Sequence, residues 1–518
     1  MTHLCVSEHT MEIPAGPLII TAPARKPLSH PHDAPSWATR LWLLAAPILP
    51  LFFLAGWLIC KDSLGNDLRF AVASLIALLA SSALVATLRR PIEGMIPIIV
   101  LLVIFVVGYF LKFYWMALAV AADDRASLFR FLLPEVQPYL YTDNLLRTFE
   151  LSTWGYVAFC AAAIVAVVTG LSPRGRAIIR TPGAKVGKLC FIHTSVALIL
   201  FLITALLTYG LGLGINGREN IQLPFKLTGL IYFLRSLLVP GLLFLVLVWS
   251  DRKGLRLYWW AAMAGIIAFG ISEILVEASR GALVSAFAIP LGALWLTYRA
   301  FTKNRLLVLV IALVLVSLLR PALTIYRQLR AADSSEGIAQ VVATTFYSVQ
   351  VAAPGASVQT SAYLGPFQEV LFRIIGVDSV LFFAPQPDEA MPLDRIAAFL
   401  LRQEDFAGAF TRQFIGWQSG VSFGAPSLVG GLYWLGGTLG MVFGVFGMTL
   451  FFQIIWAYLY RSRWWATPFA QVSIAGMTFV AGSEGTFGAI LQSLFVMVIM
   501  FIAIECISRA VWRKPKRA

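Results

Sequence analysis

In the stretch ISEILVEASRGALVSAF, Glu273, Glu277 and Arg280 stand at i, i+4 and i+7. On a helix that spacing puts them on one stripe, so two carboxylates and a guanidinium face the same way. Such a set can take a proton from a hydroxyl and meet negative charge developing on a leaving group. Gly281, the next residue, permits a tight approach or a break in the chain direction. A tight turn stapled by a local ion pair is the competing structural reading of the same residues.

Two further cationic groups accompany this one. NGRENIQLPFKLTGLIYFLR holds Arg218, Glu219 and Lys226 in a short polar segment and Arg235 about two turns inside the apolar run that follows. Lys226 is close enough to a helix end to snorkel, whereas Arg235 is too deep for that. In LLRPALTIYRQLR, Arg320 and Arg327 share a face, with Arg330 and the Tyr326 hydroxyl nearby. Gathered guanidinium groups suit a phosphate or diphosphate, because each offers a planar fork of donors. A solvated loop face is the alternative for that last cluster. His3, His9, His30 and His32 lie in the N-terminal tail and His193 opens an apolar run, so none of these clusters contains a histidine base. Asp123-Asp124, Asp388-Glu389 and Glu404-Asp405 have the chemistry to hold a divalent ion, but adjacent carboxylates diverge on a helix and solvated loop charge explains them better. The cysteines, Cys5, Cys60, Cys160, Cys190 and Cys506, are scattered without CxxC spacing, which supports neither a disulfide framework nor a zinc site. No metal and no cofactor is expected.

The elements that must position these groups are set by composition. The 518 residues are 59% hydrophobic and 13% charged, with a mean hydropathy of +0.80, far outside ordinary globular usage. Apolar runs near 41–60, 70–88, 95–119, 153–170, 190–213, 227–249, 257–276, 282–298, 306–320, 427–459, 467–483 and 487–508 are each long enough to cross a bilayer. The expectation is therefore an all-α polytopic membrane protein with about twelve transmembrane helices. With a cytoplasmic amino terminus, the inside segments hold Arg89, Arg90, Arg174, Arg176, Arg180, Lys185, Lys188, Arg252, Lys253, Arg256, Arg299, Lys303, Arg305, Arg461 and Arg463 and the RKPKRA tail. Every short loop on that side is then basic, and both termini are cytoplasmic. The net charge of +14 is explained as topogenic charge beside an anionic leaflet, without nucleic acid.

Residues 1–38 have no apolar core with a cleavage site and read as a disordered cytoplasmic tail, and 509–518 as a basic cytoplasmic tail. Between them, 39–320 carry helices one to nine and 427–508 helices ten to twelve. The intervening 321–426 read as a large periplasmic loop between helices nine and ten. Three stretches in that loop, TIYRQLRAADSSEGIAQVVATTFYSV, GPFQEVLFRIIGV and MPLDRIAAFLLRQEDFAGAFTRQFIGW, carry apolar residues at helical spacing, which predicts a cap of short amphipathic helices on the outer face. The two halves share no loop pattern, which weighs against a transporter built from related repeats.

Four features occur in this order: the GREN…LPFK loop, the SRGAL turn, the long outer loop, and APSLVGGLYWLGGTLGMVFGVFG at 425–447. Together they resemble the bacterial oligosaccharide repeat-unit polymerases of O-antigen and exopolysaccharide synthesis, the Wzy type, over roughly 190–450. The resemblance implies a metal-independent glycosyltransferase of the inner membrane. It would transfer a growing glycan from undecaprenyl diphosphate to the next lipid-linked repeat unit at the outer face. By resemblance, Arg280 and Arg218 neutralise diphosphate charge, Glu277 or Glu219 is the base, and Arg327, Arg330 and Arg373 hold donor or acceptor. Arg235, Arg320 and Tyr433 join the expected substrate-binding set. In 425–447 the usual acidic residue before the tyrosine is replaced by Gly431-Leu432, and close helix packing is the favoured role of its glycines. Implied partners are the lipid-linked oligosaccharide, the bilayer, and a chain-length regulator and flippase of the same pathway. O-antigen ligases are similar but use a histidine in the long loop, and no histidine follows His193. A lipid-linked oligosaccharide flippase or another polyprenyl-phosphate-dependent glycosyltransferase stays open.

Overall fold

The computed structural model describes residues 42–43, 46–88, 92–124, 134–173, 185–211, 227–277, 288–298, 376–401, 403–404, 406–415, 426–485 and 487–512. Among them the regular structure is helical: α1 (Ile48–Cys60), α2 (Leu68–Thr87), α3 (Glu93–Ala121), α4 (Thr142–Val168), α5 (Val186–Leu211), α6 (Gly229–Lys253), α7 (Arg256–Glu277) and α8 (Ile289–Tyr298). From the long insertion come α9 (Val377–Phe383), α10 (Leu393–Leu400) and α11 (Phe406–Phe410), and after it α12 (Leu428–Arg461), α13 (Thr467–Glu484) and α14 (Phe487–Trp512). Seven of these, α2 to α6, α12 and α14, are long and apolar enough to cross a membrane. Described helices coincide with every predicted apolar run except 306–320, which lies outside the described residues.

The surface shows why the helices are apolar all round. On α2, Phe70, Ala77 and Leu84 face the core, while Leu68, Leu75 and Leu79 on the opposite stripe are 75%, 56% and 58% exposed. A helix with both stripes apolar is stable only if one faces protein and the other lipid. The chain is a helical membrane protein.

The run over 427–459, predicted as one span, folds differently. Gly436 and Gly437 inside Leu428–Arg461 leave helical geometry, the latter at φ +62°. The chain then turns back on itself: a methyl on Gly444 would meet the Leu432 side chain at 2.6 Å, although the two are twelve residues apart. Residues before the break pack outward along α4, from Val429 against Gly155 to Tyr433 near Arg147. After it the helix runs the other way, until Gln453 donates to the carbonyls of Gly94 (2.8 Å) and Leu171 (2.9 Å) and Arg461 to that of Gly170 (2.8 Å). The first part is thus a re-entrant half-helix, and the long pass begins at Thr438. Gly437, at φ +62° and ψ −161°, takes a conformation that glycine alone adopts readily, and so permits this reversal within an apolar run.

The insertion also departs from a cap laid on the surface. The first two predicted amphipathic stretches lie outside the described residues, apart from the last residues of the second; α10 and α11 fall within the third. α9 is not amphipathic: Val377, Val380, Leu381, Phe382 and Phe383 are all buried. It plugs between α3, α4 and α12. Gly376 lies against the Gly108 backbone so closely that a Cβ would overlap it. The approach is made where α3 runs as a π-helix, Ile104–Leu111, a distortion that re-aims backbone groups and often marks function. Phe383, Phe406, Phe410 and Phe414 close the packing around Trp434.

Candidate functional site

One group of described polar residues lies at the end of the bundle that receives the insertion. Arg147, one and a half turns into α4, forms the rim. Its guanidinium pairs with Glu150 (3.3 Å) and Asp388 (3.8 Å) and bonds the Tyr433 hydroxyl. Tyr433 also donates to the Gln386 carbonyl at 3.3 Å. Asp388 accepts from the Thr438 backbone N–H (2.6 Å) and hydroxyl (2.7 Å). It therefore caps the helix that starts after the glycine break, whose free N–H groups and positive dipole end favour a carboxylate. The Thr438 N–H above all, with its hydroxyl and then Arg147, holds the Asp388 carboxyl below the usual range.

That shift fixes a sign. A depressed carboxylate pKa adds stability above its unfolded value, near 3.9, and loses it as pH falls through the folded value. The unfolding midpoint of wild type should exceed that of Asp388→Asn at neutral pH, with the gap closing below about pH 4. A gap constant across the titration would show that the carboxylate's charge contributes nothing.

Inward of the rim, Lys112 on α3 is 2% exposed and its Nζ lies 2.9 Å from Asp378 of α9. Ser379 donates to the Ser427 hydroxyl at 2.5 Å, and the Tyr109 hydroxyl accepts from the Val429 N–H at 3.1 Å. Together these join α3, α9 and the re-entrant half-helix, and each contact satisfies a group that would be costly if left bare.

A second centre lies between α5, α6 and α7. Arg235 and Glu273, each 2% exposed, are paired at 2.8 Å from Nε to Oε1. Nη1 donates to Thr208 at 3.0 Å, the guanidinium lies over the Tyr232 ring, and Nη2 has no hydrogen-bond partner among the described residues. Arg235 sits in the π-turn Leu234–Leu238.

These placements sort the sequence-derived residues. Arg235 is where its spacing put it, deep in the sixth apolar run, and the reason it is tolerated is Glu273. That carboxylate therefore turns inward to Arg235 and does not present outward as the stripe with Glu277 and Arg280 predicts. Glu277 closes α7. Tyr433 is near the insertion end, 3% exposed, with its hydroxyl committed to Gln386 and Arg147. Arg218, Glu219, Arg280, Arg320, Arg327, Arg330 and Arg373 lie outside the described residues. Lys112, Asp378, Arg147 and Glu150 escaped the sequence reading. Lys112 was findable, as a lone lysine inside an apolar run; the others needed the fold. Asp388, read there as solvated loop charge, is a helix cap. Glu404 lies 4.0 Å from both Arg395 and Arg412. Among the described residues no three His, Cys, Asp or Glu side chains converge as metal ligands do. Comparison with protein-family models, curated proteins and solved structures returned no match.

Proposed function

We propose that the chain is a polysaccharide repeat-unit polymerase of the bacterial inner membrane. It moves a growing glycan from undecaprenyl diphosphate to the next lipid-linked repeat unit at the outer face. The observation that carries this reading is the division of charge between the two ends of the bundle. Arg461 and Arg463, with Arg252 beside Tyr298 of the same end, stand opposite the insertion, the Arg147–Asp388 rim and the tip of the re-entrant half-helix. Basic residues mark the cytoplasmic side, which supports reading the insertion end as the outer one.

Displacing a diphosphate from a sugar carbon needs cations aimed at the departing charge and a carboxylate for the acceptor's proton. Arg280 and Arg218 would meet the diphosphate, Arg235 and Arg320 would lie beside it, and Arg327, Arg330 and Arg373 would hold the glycans. The implied partners are the lipid-linked oligosaccharide, a flippase and a chain-length regulator.

One observation favours a second reading. The glycine-broken α12 and the π-turns of α3 and α6 are discontinuities of the kind that line transporter sites, which suits a lipid-linked oligosaccharide flippase. The lipid-linked glycans of a deletion strain decide between them. Single repeat units on undecaprenyl diphosphate at the outer face support the polymerase; the same units trapped at the inner face mean a flippase.

A further inference from the structure

Glu484 is the last residue of α13, and none of the contacts described above involves it. Ala481, Gly482 and Ser483 before it and Gly485, Phe487 and Gly488 after it are buried, whereas Glu484 keeps part of its surface. At the tip of the α13–α14 turn, Glu484 is thus half-buried among buried neighbours. Among the described residues no hydrogen bond or ion pair engages it. The helix gains nothing from it, because a carboxylate at a helix C-terminus faces the negative end of the dipole.

The tip is recessed. Gly485 turns at φ +63° with its Cα against the Ser427 carbonyl, at the start of the re-entrant half-helix. Two residues on, Val429 packs against Gly155, eight residues along α4 from Arg147, or roughly 12 Å inward of the rim. A free carboxylate and non-helical backbone at such depth are tolerated where they line a wet cavity.

We propose that Glu484 is the general base of the transfer, on the floor of a recess below the rim. This rests on the polymerase reading. The acceptor hydroxyl oxygen attacks the anomeric carbon of the donor glycan and forms the new carbon–oxygen bond. The bond from that carbon to the diphosphate oxygen breaks, and its electron pair leaves with the undecaprenyl diphosphate. The hydroxyl proton passes to the Glu484 carboxylate. Glu277 and Glu219, the sequence-derived candidates, are then not the base.

The test places tagged wild type, Glu484→Gln, Glu484→Asp, Glu277→Gln and Glu219→Gln in the deletion strain. Polymer and single lipid-linked repeat units are read at matched protein level, and binding of radiolabelled lipid-linked repeat unit is read on purified protein in lipid nanodiscs. Glu484→Gln should lower polymer about 100-fold or more with binding retained, and Glu484→Asp should recover part of it. Polymer from Glu484→Gln within about threefold of wild type, or an equal loss in Glu277→Gln or Glu219→Gln, overturns the assignment. Should the glutamine variant fail to accumulate, wild type is treated with a carbodiimide and its adducts mapped. An adduct on Glu484 that stops polymerisation supports the base, while activity surviving full modification overturns it. Wild type that restores no polymer to the deletion strain sinks the polymerase reading itself.

Discussion

Replacing Arg235 by alanine should cost about 3–5 kcal/mol of stability, the range for removing one partner of a buried ion pair. The alanine leaves the Glu273 carboxylate among α5, α6 and α7 with its cation gone, and Glu273→Ala strands the guanidinium in the same way. Each single variant should show a clearly lowered unfolding midpoint in detergent, followed by the monodisperse fraction after heating. The double replacement Arg235→Met with Glu273→Leu should lie much closer to wild type, because two matched apolar side chains carry no desolvation cost. Single variants as stable as wild type would mean that water reaches the pair. A double variant as unstable as the singles would mean that the two groups are not coupled. The double variant also separates fold from chemistry: stability regained without polymer leaves Arg235, whose Nη2 is unpartnered among the described residues, with a role toward the anionic substrate.

What was legible in the sequence follows from how each signal is encoded. Apolar runs are local, so the helices could be placed. The depth of Arg235 could likewise be counted from the start of its run. Its partner could not, because Glu273 is a neighbour only once α6 and α7 pack side by side. The same limit hid the Lys112–Asp378 and Arg147–Asp388 pairs, whose members are separated by the whole middle of the chain. Hydropathy also cannot register a change of direction. Residues 427–459 are apolar throughout, and the reversal at Gly436-Gly437 leaves the run's composition unchanged. The paired glycines were visible, but the many glycines in that stretch suit close packing equally well.

The reversal matters because it sets the depth at which Ser427 meets Gly485, and that contact yields the other large effect. Gly485→Ala should destabilise the protein by about 2–5 kcal/mol. A left-handed backbone costs an L-residue about 1–2 kcal/mol, and overpacking a close contact costs about 1–3 more. Here the contact is the Ser427 carbonyl, a backbone atom that has no rotamer to move aside. Gly254→Ala is the matched control. It has nearly the same φ, +67° against +63°, and no described atom within 4 Å of the added methyl, so it should show the conformational part alone. The difference between the two unfolding midpoints isolates the contact. If Ser427 is pushed away, the Ser379–Ser427 and Tyr109–Val429 bonds are strained with it. The loss should then reach the junction of α3, α9 and the half-helix and lower activity as well as stability. Equal shifts in the two variants would show that the half-helix yields freely, and that the recess floor is not fixed by this turn.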